Sequence, residues 1–406
     1  MKTIAIAGTF DTKGTEYAYV KSLVEELGLQ TFTIHTGVFE PVFTPDVSNA
    51  EVAAAAGYDI NQIVERKDRA LATEALSKGM ETLVPKLYEE GKFDGILSFG
   101  GSGGTSMVTP AMRALPIGVP KVMVSTMASG NVEQYVGTSD IVMMPSIVDV
   151  AGLNKISKTI FKNAVMAIAG MVSMKDQFKP ETEEAKPLVA ATMFGVTTPC
   201  VDKAKSYLEE CGYEVLVFHA TGTGGKTMES LIRAGFFKGV LDITTTEWCD
   251  EVAGGVLAAG PNRCGAAIEN QIPQVVSVGA LDMVNFGPID TVPEKYAHRN
   301  LYKHNPTVTL MRTTVEENIE IANRLSEKWN QAKSKMALML PLKGVSMIDG
   351  EGQPFNGPEE DQALFDTLKT NLTNENVEIV ERDMNINDPE FALEAAKRLV
   401  ELMEGK

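Results

Sequence analysis

Gly28-Leu29-Gln30-Thr31-Phe32-Thr33-Ile34-His35-Thr36-Gly37 and Gly212-Tyr213-Glu214-Val215-Leu216-Val217-Phe218-His219-Ala220-Thr221-Gly222 follow one pattern. A glycine closes a helix, a β-branched and aromatic run follows, a histidine stands at the strand exit, and a loop begins. Two more segments repeat in the same order. Gly91–Ser98 is answered by Gly235–Asp242, and Val119–Ser125 by Ile272–Val278. Three matched segments in one order predict two similar α/β domains, at 1–178 and 186–406. Each is expected to be an open parallel sheet, the two facing each other across a cleft.

The remaining pattern agrees. Short apolar runs at Thr3–Gly8, Gly95–Phe99, Lys121–Ser125 and Asp140–Met144 alternate with helical stretches at Gly14–Leu27, Asp68–Glu90 and Asn154–Met174. Strands that alternate with helices build a parallel sheet covered on both faces. Lys175–Pro187 is charged, bounded by proline and aperiodic, and reads as the linker. A length of 406 residues fits two or three domains.

The net charge of −17 argues against nucleic acid or an anionic membrane as partner, because phosphates would be repelled. No apolar run is long enough to span a bilayer. The run at Met1–Gly8 is too brief for a signal peptide. Four cysteines (Cys200, Cys211, Cys249, Cys264) without a Cys-x-x-Cys pair read as buried free thiols of a cytoplasmic protein.

In open α/β sheets, ligands lie beyond the carboxyl ends of the strands. The first such loop is Gly8-Thr9-Phe10-Asp11-Thr12-Lys13-Gly14. A helix N-terminus there favours an anion, Lys13 adds a positive charge, and Asp11 suits a metal or a polarised hydroxyl. Equally, Asp11 or Thr12 caps the helix. In Gly100-Gly101-Ser102-Gly103-Gly104-Thr105-Ser106, glycines and hydroxyls turn amides inward as a nest for phosphate or carboxylate. Ser125, Ser129 and Gly130 stand at the next exit, as ligands of ribose or phosphate or as turn residues.

In the second half, Ala220–Thr227 ends in Gly-Lys-Thr, but Ala220 replaces the first glycine of a true phosphate loop and the strand is the second of its repeat. Gly222, Gly224, Gly225 and Lys226 are read as a generic anion loop for a second ligand. His219, Glu247 and Asp282 stand at neighbouring strand exits as candidates for acid–base chemistry, with a structural histidine as the alternative.

These motifs resemble the Tm-one-like ATP-binding family, which includes a tomato tobamovirus-resistance inhibitor and bacterial proteins. The resemblance rests on Gly8–Lys13, Gly100–Ser106, Leu115–Lys121, Met193–Cys200, Gly239–Glu247 and Val276–Gly287, and so covers nearly the whole chain. It implies two Rossmann-like subdomains, ATP with Mg²⁺ held by the first, and a homodimer. Transferred by motif, the nucleotide contacts Gly8, Thr9, Asp11, Thr12, Lys13, Gly100, Gly101, Ser102, Gly103, Gly104, Thr105, Ser125, Ser129 and Gly130. The metal falls to Asp11 and Asp149. Asp11, Lys13, His219, Glu247 and Asp282 are the candidate catalytic residues. Plant relatives carry a further TIM-barrel-like domain, so an activity needing it would call on a separate protein of that kind. The expectation is thus a cytoplasmic ATP-binding metabolic protein acting on a small carboxylate or sugar acid. The alternatives are an ATP-independent hydrolase or C–C lyase and a non-catalytic ligand sensor, so catalysis itself is left open.

Overall fold

The structure is a computed structural model and describes residues 1–177 and 186–405. The middle of the expected linker, 178–185, lies outside the described residues. The chain forms two compact units, 1–182 and 183–406.

The first unit runs β1 (Thr3–Gly8), α1 (Gly14–Glu26), β2 (Gln30–His35), α2 (Asn49–Ala55), α3 (Ile60–Arg66), α4 (Arg69–Glu89), β3 (Gly95–Gly100), α5 (Ser102–Ala114), β4 (Lys121–Ser125), α6 (Glu133–Val136), β5 (Val142–Pro145) and α7 (Lys155–Met174). Its five strands lie in the order β2-β1-β3-β4-β5, all parallel. Successive side chains of a strand point to opposite faces. In β1, Ala5 and Ala7 therefore pack with α4 and α5 residues such as Leu76, Met80 and Val108. Ile4 and Ile6 pack on the other face with Val24 of α1 and Val165 and Ile168 of α7.

The second unit runs β6 (Leu188–Met193), α8 (Thr198–Glu210), β7 (Glu214–His219), α9 (Thr223–Arg233), β8 (Phe237–Thr244), α10 (Glu247–Ala253), α11 (Ala266–Glu269), β9 (Gln274–Gly279), β10 (Met283–Phe286), β11 (Leu301–Asn305), β12 (Val308–Arg312), α12 (Val315–Trp329), β13 (Met336–Pro341), α13 (Pro358–Asn371), β14 (Val377–Arg382) and α14 (Pro389–Met403). Its main sheet has the order β14-β13-β9-β8-β6-β7. Removing β14 leaves the arrangement of the first unit: β7, β6, β8, β9 and β13 occupy the places of β2, β1, β3, β4 and β5. The repeated sequence segments thus fall on equivalent strands, and the Rossmann-like pair of parallel sheets is as the sequence predicts. The antiparallel sheet β10-β12-β11, inserted between β9 and β13, has no counterpart in the first unit. The cysteines are all free thiols; Cys200, Cys249 and Cys264 are buried, while Cys211 is exposed, contrary to expectation.

Candidate functional site

From β1 the first sheet extends one way to β2 and the other way to β3, so strand order reverses between β1 and β3. A crevice opens at such a reversal because the flanking loops diverge. Here it is a cavity of about 780 Å³, lined by the loops that follow β1, β2 and β3, by the α3–α4 junction and by Asp149.

The loop after β1 is fastened on every side. Gly8 has no room for a side chain, since a Cβ would lie 1.9 Å from the Tyr17 hydroxyl oxygen. That hydroxyl donates to the Phe99 carbonyl at 2.6 Å and so couples α1 to β3. Burial pushes its pKa up to about 12, which keeps it a donor. His35, fully buried, accepts the Phe10 amide (3.1 Å) and the Gly37 amide (3.3 Å) at Nδ1. Its proton therefore sits on Nε2, which donates to the Phe39 carbonyl at 2.9 Å. Asp11 accepts the amides of Thr12 (2.7 Å) and Phe39 (3.1 Å), and the Lys13 ammonium donates to the Val150 carbonyl. The loops after β1 and β2 form one rigid wall.

The opposite wall is the start of α5. Gly101, in extended conformation, precedes the helix, and no side chain caps its amides. Ser102, Gly103 and Gly104, which supply the first turn, all line the cavity. Uncapped first-turn amides attract anions. Above them stands Arg69, whose Nη2 lies 3.6 Å from the position that a Gly103 Cβ would take. Arg69 and Lys67 flank Asp68, the N-cap of α4. Lys67 closes the C-terminus of α3, where a cation suits the dipole, whereas Arg69 at the start of α4 opposes it, so helix stability does not account for Arg69. Val38, Phe39, Ile63, Val64, Ala72 and Met107 make the remaining wall apolar. Phe39 is 65% exposed.

Of the residues singled out in the sequence, Thr9, Asp11, Thr12, Lys13, Gly101, Ser102, Gly103, Gly104 and Asp149 meet in this cavity. Gly8 and Gly100 stand behind it as packing glycines. Thr105 and Ser125 are buried and paired at 2.6 Å; Thr105 also donates to the Gly101 carbonyl, and Ser125 accepts the Met127 amide. They brace the loop instead of facing the cavity. Ser129 and Gly130 are exposed and outside it. Lys67, Arg69 and Thr36 were missed by the sequence reading, although two cations around a helix start in so acidic a chain were a usable signal.

The second unit is built differently. Glu247, nearly fully buried, accepts the amides of Gly222 (2.8 Å) and Gly225 (3.0 Å) and the Arg263 guanidinium (2.5 Å). A Cβ on Gly225 would strike its carboxylate at 2.3 Å. Gly224 is needed where α9 crosses the His219 carbonyl, and Gly222 adopts φ +80°. In the loop expected to hold a second ligand (Gly222, Gly224, Gly225 and Lys226), the Gly222 and Gly225 amides are thus held by Glu247, a carboxylate of this chain. His219 is exposed and stacks on Phe194 at 5.3 Å. Asp282 is wholly buried: one oxygen accepts Ser346 at 2.7 Å and the other has no partner.

Asp282 belongs to a buried group around Arg312, which donates to Asp349 (3.2 Å) and Asp361 (2.7 Å). Burial pushes Asp282 up to about 6 and Asp349, beside two other carboxyls, up to about 10. Burial likewise raises Asp250 to about 7. Such groups hold protons in the folded chain that the unfolded chain releases near pH 4, so stability falls as pH rises through this window. The unfolding free energy from urea titration is expected to decrease from pH 5 to pH 8, by on the order of 1 kcal/mol per pH unit for each carboxyl still protonated. Asp349→Asn, which mimics the protonated acid, flattens that slope; a slope unchanged in this variant refutes the assignment.

Two family models divide the chain. The Uncharacterised protein family (UPF0261) N-terminal domain matches residues 2–177, and the C-terminal domain of that family matches residues 186–403. The chain belongs to the UPF0261 family. A UPF0261 protein of Clostridium tetani is 57% identical over 404 residues, covering 99% of both chains. One from Rhizobium meliloti is 46% identical over 97% of both. The ToMV resistance protein Tm-1 of Solanum lycopersicum is 44% identical over 95% of this chain, which spans 54% of the tomato protein. The resemblance read from the motifs is thereby shown. Among solved structures, a Streptomyces glycosyltransferase complexed with thymidine diphosphate aligns at 12% identity over 68% of this chain and 82% of its own, with a TM-score of 0.18. Among the described residues, no helix of this UPF0261 chain is long and apolar enough to cross a membrane.

Proposed function

We propose that this UPF0261 protein binds a nucleoside triphosphate, ATP by family resemblance, in the cavity between β1 and β3. One observation carries the reading: an uncapped glycine helix start lies beneath a guanidinium, opposite an apolar wall that ends in an exposed aromatic ring. Phosphate oxygens accept the α5 amides and Arg69, while the base lies against Phe39 and its apolar neighbours.

A magnesium ion fits the donors on hand. Asp11 and Asp149 both line the cavity. Among the described residues, no group of three or more His, Cys, Asp or Glu side chains is placed to hold a metal. Mg²⁺ is commonly held by one or two carboxylates together with substrate phosphates, so the two aspartates suffice when phosphate completes the set. The bound ion would neutralise phosphate charge. The ordered amides of Thr12 and Phe39 fix the Asp11 carboxylate without using every lone pair.

Isothermal titration with ATP and magnesium chloride is expected to give one site per chain. Arg69→Ala should lower the affinity about tenfold, the value of one lost charge-assisted hydrogen bond. No heat and no thermal shift at millimolar ATP would overturn the reading.

A further inference from the structure

Thr36 follows β2 directly. Its amide donates to the Gly8 carbonyl at 2.8 Å, carrying the β1–β2 ladder one residue beyond the strand. The side chain is fully buried and lines the cavity, yet its hydroxyl has no hydrogen-bond partner. Buried hydroxyls are almost always paired, and a valine would fill the same space without the polar atom.

The surroundings hold that hydroxyl in place. Gly37 is fixed through His35, Asn49 donates to the carbonyls of Gly37 (2.8 Å) and Val38 (3.2 Å), and Phe39 is fixed through Asp11. The hydroxyl is closed to solvent, so the cavity wall over it must give way for a ligand to meet it. β2 lies on the far side of β1 from β3. Thr36 and the α5 amides are therefore separated by two strand spacings, about 10 Å. This matches the reach between the sugar and the terminal phosphates of an extended nucleoside triphosphate. In doubly wound folds the residue at the end of the second strand is placed to read the ribose.

We infer that the Thr36 hydroxyl takes a ribose hydroxyl of the bound nucleotide and so selects ribonucleotides over their deoxy analogues, an inference that rests on the nucleotide reading above. Threonine can both donate to and accept from that hydroxyl. Phosphates on α5, sugar at Thr36 and base at Phe39 then follow one line across the crevice.

The test compares wild type with Thr36→Val, titrated with ATP, 2′-deoxy-ATP and 3′-deoxy-ATP. Thr36→Val is expected to weaken ATP about fivefold to tenfold, as for one hydrogen bond, and to leave unchanged the analogue lacking the hydroxyl that Thr36 reads. Its thermal midpoint without ligand should equal or exceed that of wild type, because an unpaired polar atom has been removed. Equal ATP affinity in the two proteins, or an equal loss for all three nucleotides, overturns the inference while leaving nucleotide binding intact. A lowered midpoint shows that the hydroxyl has a structural partner, and it overturns the inference too. Wild type that binds none of the three nucleotides overturns the nucleotide reading, and the sugar assignment with it.

Discussion

Arg263→Met is expected to cost about 3–5 kcal/mol, the range for a buried charge cluster that loses its counter-ion. Arg263 is among the largest fully buried side chains of the protein. Its two terminal nitrogens grip Asp242 at 2.5 and 2.7 Å, Nε donates to Glu247 at 2.5 Å, and Glu229 stands 3.3 Å away. Three carboxyls thus share one cation, and burial already raises the pKa of Glu229. Removing the cation leaves them facing each other out of water. The loss is large beside the 5–15 kcal/mol that usually separates folded from unfolded domains. Because Glu247 also closes the Gly222–Gly225 turn, the damage reaches the β7–α9 junction. The urea midpoint of the full chain reads the effect. Arg263→Lys, with the charge kept but the planar fork lost, should fall between wild type and the methionine variant. A methionine variant as stable as wild type would mean that these acids are neutral in the fold.

This cluster marks where the sequence stopped being legible. Strand positions could be read because a buried parallel strand leaves an apolar run with sharp ends, as at Thr3–Gly8 and Lys121–Ser125, and because three such runs recur in one order. The glycine loops could be read as amide-rich. What occupies the amides could not. Glu247 lies 25 residues from Gly222 and 22 from Gly225, a pairing set by the sheet and not by local spacing. The same holds for Ser125, whose hydroxyl turns away from the crevice toward Thr105, 20 residues earlier. In the first unit, no side chain among the described residues caps the start of α5, so the loop after β3 remains a candidate site. Arg69 fell within the helical stretch Asp68–Glu90 and Lys67 just before it, and neither was singled out. Their role shows once α4 and α5 pack together and bring Arg69 over Gly103. Thr36 carried no signal, since its significance is a missing partner.

Gly103→Val should abolish nucleotide binding while the protein stays folded. A Cβ at Gly103 meets nothing nearer than Arg69 Nη2, 3.6 Å away, and the residue is helical, so neither packing nor backbone resists the change. Glycine is a poor helix former, which makes a loss of stability smaller still. The added methyls instead enter the space above the first turn, where an anion would sit about 2.9 Å from the amides. They also push the Arg69 guanidinium aside. Losing two charge-assisted hydrogen bonds amounts to about 3 kcal/mol or more, at least roughly a hundredfold in affinity. Gly104 offers a second trial, since its nearest neighbour is the Phe99 carbonyl at 3.7 Å. Calorimetry against ATP, with a thermal melt to verify folding, decides the matter. A folded Gly103→Val protein that binds ATP as tightly as wild type would remove α5 from the site and leave the cluster of cations without an explanation.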